Sequence, residues 1–123
     1  MTRTSFHSGT PAGVAFNFST IPDNLVLNNN GHTAFLGFLQ GDESGSGIWS
    51  EARGQGVELV ARTGEAAPGT GADLNFDFFF EQTIVLNNRG QTAFFANLSG
   101  PGVDSINNDT GIWAEDLSGR LRL

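Results

Sequence analysis

The sequence contains no cysteine, no lysine and no tyrosine among its 123 residues. The absence of cysteine excludes disulfide bonds, thiolate zinc sites and cysteine nucleophiles. All six basic residues are therefore arginines, and with 13 acidic residues the net charge is −7. A chain with this charge lacks the basic face that nucleic acids and anionic membrane surfaces require, so neither is expected as a partner.

Long apolar runs are missing as well. No stretch approaches the roughly 20 consecutive apolar residues that span a bilayer as a helix, so membrane insertion is not expected. Glycine and phenylalanine, in contrast, are abundant, with 17 and 11 residues. The glycines suit many tight turns, and the phenylalanines supply much of the apolar core of one ordinary domain.

A segment of fourteen residues occurs twice. Positions 26–39 read VLNNNGHTAFLGFL and positions 85–98 read VLNNRGQTAFFANL, with nine of the fourteen identical. The tripeptide Gly-Ile-Trp at 47–49 recurs at 111–113. Repeats of this kind bury their apolar faces against one another. We therefore divide the chain into repeat 1, residues 1–61, and repeat 2, residues 62–123, within one structural domain.

Each repeat is predicted to contain four short strands. The predicted strands are 25–27, 32–39, 47–52 and 57–61 in repeat 1, and 83–86, 91–98, 111–115 and 121–123 in repeat 2. Short strands with regularly spaced turn signals favour a sandwich, a barrel or a propeller. We expect an all-β fold of two four-stranded antiparallel repeats that resemble propeller blades. The alternative is a monomeric eight-stranded sandwich or barrel, with the repeats related by a pseudo-twofold axis.

The repeated asparagine and glycine predict a turn between the first two strands of each repeat. Asn28 and Gly31 bound this turn in repeat 1, and Asn87 and Gly90 bound it in repeat 2. Asparagine side chains bond nearby backbone groups in turns, and glycine occupies the left-handed region freely. We expect both glycines to have positive φ and the asparagines to have a structural role.

The pattern N-x-x-G-x-x-A-F at 28–35 and 87–94 resembles the defining motif of the bacterial choice-of-anchor NxxGxxAF tandem-repeat proteins. Gly-Ile-Trp and the segment RTGEAAPG at 62–69 are similar to later parts of the same repeat. The resemblance implies propeller-like repeats and an extracellular or cell-envelope protein. It implies no catalytic residues.

The repeat number bears on assembly, because two blades cannot close a ring and propellers typically have four to eight. Self-association is therefore expected, with a trimer of six blades favoured and a tetramer second. The matching repeat phase of the chain ends predicts that Leu123 lies near Thr2 or Arg3 of the next copy. The phenylalanine-rich segment 76–80 is expected to form the seam between blades.

Few residues suggest a ligand site. Trp49 and Trp113 recur at one position and are either core residues or a repeated platform for stacking sugars. Asp104, Asn107 and Asp109 offer oxygen ligands of the kind that Ca²⁺ prefers, although a solvated acidic loop is the favoured interpretation.

Three functions follow in order of preference. The first is a non-catalytic structural or interaction module that self-assembles head to tail into a closed propeller. The second is a binding module for a carbohydrate or a similar ligand. The third is a propeller hydrolase, which ranks last because no acid–base constellation stands out in the sequence.

Overall fold

Eleven strands run through the residues that the computed structural model describes, which are 4–5, 14–17, 25–41, 44–54 and 56–123. No helix occurs within those ranges. The strands are β1 (Thr4–Ser5), β2 (Val14–Asn17), β3 (Leu25–Leu27), β4 (Thr33–Gly41), β5 (Gly45–Ser50), β6 (Glu58–Arg62), β7 (Asn75–Phe79), β8 (Val85–Leu86), β9 (Thr92–Ser99), β10 (Thr110–Glu115) and β11 (Leu121–Arg122).

The strands form two antiparallel sheets, one from each repeat. The first has the order β1-β2-β4-β5-β6, with β3 also beside β4, and the second has the order β11-β10-β9-β7, with β8 also beside β9. In both sheets one long strand, β4 or β9, pairs with a short strand near its start and with another near its end. The prediction of an all-β fold of two antiparallel sheets is confirmed, and no closed barrel forms among the described residues.

Each sheet has two faces, which we name by the Gly-Ile-Trp strand. The front face carries the tryptophan, because Trp49 pairs with Phe35 and Trp113 with Phe94 on the same side. The back face carries the isoleucine, because successive side chains of a strand point to opposite sides. Ile48 accordingly pairs with Leu36 there.

The front face of repeat 2 packs toward the back face of repeat 1. One core cluster joins Ala34, Leu36 and Ile48 of repeat 1 with Phe94 and Trp113 of repeat 2. The contact therefore uses different faces of the two repeats. A pseudo-twofold sandwich would instead bury the same face of each, so that equivalent residues would be equally covered. The arrangement found is a stack of two sheets facing the same way.

The phenylalanine-rich segment 76–80 lies along this stack. Phe76 and Phe79 are buried in the shared core, at 2% and 1% exposure, and their rings contact each other at 5.3 Å between centroids. Phe78 points to the opposite side of β7 and is 48% exposed. One face of β7 thus packs into the junction between the repeats, and the face that carries Phe78 does not.

Candidate functional site at the junction between the repeats

The repeated Asn-x-x-Gly segments form two turns of the same construction. The Oδ1 of Asn28 accepts hydrogen bonds from the backbone N–H groups of Asn30 and His32, both at 3.0 Å. The Oδ1 of Asn87 accepts the equivalent bonds from Arg89 at 3.0 Å and Gln91 at 2.9 Å. The glycines that close the turns have φ of 82° and 84°, which lie in the left-handed region that the turn prediction requires. These glycines are Gly31 and Gly90.

A third turn of this kind was not evident from the repeat comparison. Asp116 takes the place of the asparagine, and Gly119, with φ of 83°, takes the place of the glycine. The Asp116 Oδ1 accepts from the N–H of Ser118 at 2.9 Å and of Arg120 at 3.0 Å. Asp-x-x-Gly spacing at the β10–β11 connection is the sequence signal that identifies it.

The turns of the two repeats bond directly to each other. The Nδ2 of Asn28 donates to the backbone carbonyl of Asn87 at 3.0 Å. The N–H of Asn29 donates to Oδ1 of Asn88 at 2.9 Å, and the Nδ2 of Asn30 donates to the Asn88 carbonyl at 2.7 Å. The repeated turn is thus also a contact element, which fixes the stacking of the sheets at one end.

Two glutamates occupy equivalent positions, one in each repeat, and the sequence comparison missed both. Each stands two residues after the repeated tryptophan. The Oε1 of Glu51 accepts from the N–H and the hydroxyl of Thr33, each at 3.0 Å, and Oε1 of Glu115 accepts from the N–H of Thr92 at 3.0 Å. The pattern Gly-Ile-Trp-x-Glu, present twice, is the signal for this role.

Arg53 links the two repeats through an ion pair and a hydrogen bond. Its guanidinium pairs with Oε2 of Glu115 and donates to the backbone carbonyl of Gly119 at 2.9 Å. Glu115 is only 4% exposed, so the arginine compensates a carboxylate that is largely removed from water. Arg53 also lies 3.6 Å from Glu58, within its own repeat.

These groups border a polar cleft of about 290 Å³ between the repeats. Arg53 and Arg89 line it together with Gln91 and Ser118. The Nε2 of Gln91 donates to the Glu115 carbonyl at 2.8 Å. The cleft is consequently built from side chains that hold the junction together, and its carboxylate is already paired.

The repeated tryptophans are core residues. Trp49 is 1% and Trp113 is 0% exposed, and the indole N–H of Trp113 donates to the Pro68 carbonyl at 2.9 Å. Each ring covers the glycine two positions earlier: a Cβ on Gly47 would lie 2.8 Å from the Trp49 ring. Neither ring has a free face on which a sugar could stack, so their recurrence reflects packing.

One comparison with known proteins decides the family. The model of a family of unknown function, DUF7453, matches residues 4–123. The chain belongs to the DUF7453 family. No curated protein and no solved structure matches it.

In this DUF7453 chain, the acidic loop before β10 is closed by its own hydrogen bonds. The carboxylate of Asp104 accepts from the N–H of Ile106 at 2.9 Å and from the Nδ2 of Asn107 at 2.7 Å. These two bonds, the one from Ile106 first, lower the pKa of Asp104 below its usual value of 3.8. The backbone carbonyl of Asp109 accepts from Leu98 at 2.6 Å. Asp104 and Asn107 thus serve the loop itself, and the backbone of Asp109 ties the loop to β9.

Two further observations concern the described ranges of the DUF7453 chain. Within the described ranges, no three histidine or acidic side chains gather as a metal site would require. No helix in that part of the chain is long and apolar enough to cross a membrane.

Proposed function

We propose that the chain is a non-catalytic structural and interaction module that assembles head to tail with further copies of itself. The observation that carries the proposal is unequal burial of equivalent residues. Ile48 on the back face of repeat 1 is 0% exposed, whereas its counterpart Ile112 on the back face of repeat 2 is 65% exposed. Val26 packs against the shared core, whereas its counterpart Val85 is 60% exposed.

The front faces show the converse pattern. Ile84 of repeat 2 is 4% exposed because it packs in the core between the sheets, whereas its counterpart Leu25 of repeat 1 is 62% exposed. Leu86 packs against that core, whereas its counterpart Leu27 is 67% exposed. The exposed part of each face therefore corresponds to a part that is covered at the internal junction. On the front face of repeat 1 this exposed part is the β3 end, around Leu25 and Leu27, whereas Trp49 on the same face is buried in a cluster of its own repeat.

The two free faces complement each other. The back face of repeat 2 can receive the front face of repeat 1 from a second copy, in the way that the internal junction already joins the two repeats. Such a contact uses different patches on the two partners, which is a heterologous contact, and it closes into a ring when the rotation per copy divides a full turn. Burial of the exposed apolar residues on both faces would stabilise this contact.

Part of β10 also lacks a paired strand among the described residues, which offers a second kind of contact, along the edge of the sheet rather than on its face. In repeat 1, Ile48 on β5 pairs with Ala61 on β6. In repeat 2, β10 pairs with β11 at Ala114 and Glu115, so Ile112 has no such neighbour among the described residues. Unpaired edges favour the addition of a strand from another chain.

We propose a closed ring of blade-like sheets, with a trimer of six blades favoured and a tetramer second. In this ring Leu123 lies near Thr2 or Arg3 of the next copy, and those two residues are outside the part of the chain that the structure describes. On the resemblance to choice-of-anchor repeats, we further propose that the module acts at the cell envelope or outside the cell.

The proposal is tested by charging the back face. Ile112→Asp should reduce the assembly to monomers, because it places a carboxylate in the centre of the contact, while the isolated chain keeps its fold. Ile106→Asp is the matched control, since Ile106 is 86% exposed but lies in the acidic loop rather than on the back face. Light scattering gives the mass, and circular dichroism checks the fold. Equal masses for the two variants would contradict the proposal.

Mixing tests the polarity of the contact. Leu27→Asp damages only the front face, and Ile112→Asp damages only the back face. A heterologous contact predicts that each variant alone is monomeric and that an equimolar mixture forms one-to-one dimers through the two intact faces. A mixture that stays monomeric would count against head-to-tail stacking.

A further inference from the structure

Among the described residues, one ion pair crosses the internal junction, and it joins defined positions of the two repeats. Arg53 stands four residues after Trp49, and it pairs with Glu115, which stands two residues after Trp113. The arginine comes from the repeat that contributes its back face, and the glutamate comes from the repeat that contributes its front face.

The free front face of repeat 1 presents the equivalent carboxylate. Glu51 is held in the same way as Glu115, through a hydrogen bond from the backbone N–H of the repeated threonine to Oε1 at 3.0 Å. Its Oε2, the counterpart of the oxygen that Arg53 binds in Glu115, makes no hydrogen bond or ion pair with the residues that the structure describes. Oε1 of this carboxylate is therefore held in place, while Oε2 has no partner among the described residues.

The back face of repeat 2 has no arginine at the position of Arg53. Its Arg122, which pairs with Ala114 in the register of β10 and β11, is instead held by Asp116 through an Nε–Oδ2 contact of 2.9 Å. Leu117 stands four residues after Trp113, at the position of Arg53, and it is 71% exposed. Stacking a second copy in the geometry of the internal junction brings this leucine to Glu51 of the next copy. In that geometry no counterpart of the Arg53–Glu115 ion pair would form between copies.

We infer that residue 117 sets the strength of the contact between copies: Leu117 keeps that contact weaker than the internal junction, and an arginine at this position would complete an ion pair with Glu51 of the next copy. The inference rests on the proposed head-to-tail assembly and adds the specificity-determining position. A repeat with arginine at this position would therefore bind the front face of repeat 1 more tightly than a repeat with leucine does.

The experiment measures the dissociation of the assembly on dilution, by sedimentation velocity, for a series of variants at position 117. Leu117→Arg should lower the concentration of half-dissociation about three- to tenfold, because a partly buried charge pair forms. Leu117→Glu should raise it, because two carboxylates then meet. Leu117→Gln, similar in size and uncharged, should leave it near the wild-type value.

Two controls separate a specific ion pair from a change in net charge. Ile106→Arg adds the same charge at an exposed site away from the contact and should leave dissociation unchanged. Adding Glu51→Gln to Leu117→Arg should remove the gain, and so should high salt, which screens charges in contact with solvent. The melting temperature of each variant verifies that the fold is intact.

The outcomes distinguish the two proposals. If the wild-type chain assembles and Leu117→Arg and Leu117→Glu dissociate at the same concentration as wild type, the inference about residue 117 is overturned and the assembly stands. If neither the wild type nor Leu117→Arg assembles at any concentration, both are overturned. If only Leu117→Arg assembles, and only with Glu51 present, the inference about residue 117 is supported and the proposed assembly of the wild-type chain is overturned.

Discussion

The side-chain amide of Asn28 donates a hydrogen bond of 3.0 Å to the backbone carbonyl of Asn87, its counterpart in the second repeat. The same side chain caps its own turn through Oδ1. One residue therefore shapes a turn and joins it to the next turn. In repeat 2 the Nδ2 of Asn87 donates instead to Oε1 of the Gln91 side chain at 2.8 Å, within its own repeat.

This difference predicts unequal effects of one isosteric change. Asn28→Asp keeps the acceptor that caps the turn but replaces the donor with a carboxylate oxygen facing the Asn87 carbonyl. Because Asn28 is 7% exposed, we expect a loss of about 1–3 kcal/mol in the free energy of unfolding. Asn87→Asp, which loses only an exposed bond, should cost less than about 0.5 kcal/mol. Urea unfolding of the two variants measures both, and equal losses would contradict the junction.

The turn glycines offer a second matched pair. A Cβ on Gly31 would meet nothing within 4 Å, whereas one on Gly90 would lie 3.0 Å from the carbonyl oxygen of Ala52 in the other repeat. Both alanine substitutions strain a positive φ, which costs on the order of 1 kcal/mol. Gly90→Ala should cost more, because it also crowds the junction. A Gly31→Ala variant less stable than Gly90→Ala in thermal unfolding would refute this packing.

The glycine of Gly-Ile-Trp is expected to be intolerant of any side chain. A Cβ on Gly47 would lie 2.8 Å from the Trp49 ring and 2.9 Å from the Ala61 carbonyl oxygen. Gly47→Ala should therefore destabilise the fold by about 1–3 kcal/mol through overpacking. Gly71→Ala is the control, since nothing lies within 4 Å of a Cβ there and its φ is not positive. Differential scanning calorimetry compares the two, with a clear drop in melting temperature expected only for Gly47→Ala.

Much of this fold could be predicted from the repeat alone. Apolar alternation and turn residues located β3–β6 and β8–β11 to within a few residues, and Asn-x-x-Gly located two turns. The strands β2 and β7 were not predicted. β2 contains a single phenylalanine and follows a glycine-containing segment, and in β7 an irregularity between Phe76 and Phe78 interrupts the alternation.

The junction was harder to predict, because its bonds connect residues that are far apart in the chain. The pairing of Arg53 with Glu115 spans 62 residues, and Arg53 has no counterpart in repeat 2, where Leu117 stands. A comparison of the repeats highlights what they share, so it passes over a residue that acts in one repeat only. The comparison did find the recurring tryptophans, because both repeats share them. Recurrence alone, however, does not distinguish a packing role from a binding role.

The β10–β11 turn has a pH dependence of defined sign. The Asp116 carboxylate accepts from the Ser118 hydroxyl at 2.6 Å and from Nε of Arg122 at 2.9 Å, and these bonds hold its pKa well below the usual 3.8. A depressed folded pKa means that the stabilisation is present above pH 3.8 and is lost as the pH falls through the lower folded value.

Carbon-13 NMR titration of the carboxyl groups measures this directly. The Asp116 midpoint should lie well below 3.8, and Ser118→Ala should move it upward, because the largest single contribution is removed. An Asp116 midpoint at 3.8 in the wild-type chain would show that these bonds do not persist in solution.

The solution mass of the unmodified chain tests the central claim most directly. Multi-angle light scattering at micromolar concentration should give about three times the 13.0 kDa of the chain, as the head-to-tail trimer requires. Four times that mass would support the ring with eight blades. A mass of 13.0 kDa at every accessible concentration would contradict the assembly and leave the two exposed faces without the partner assigned to them.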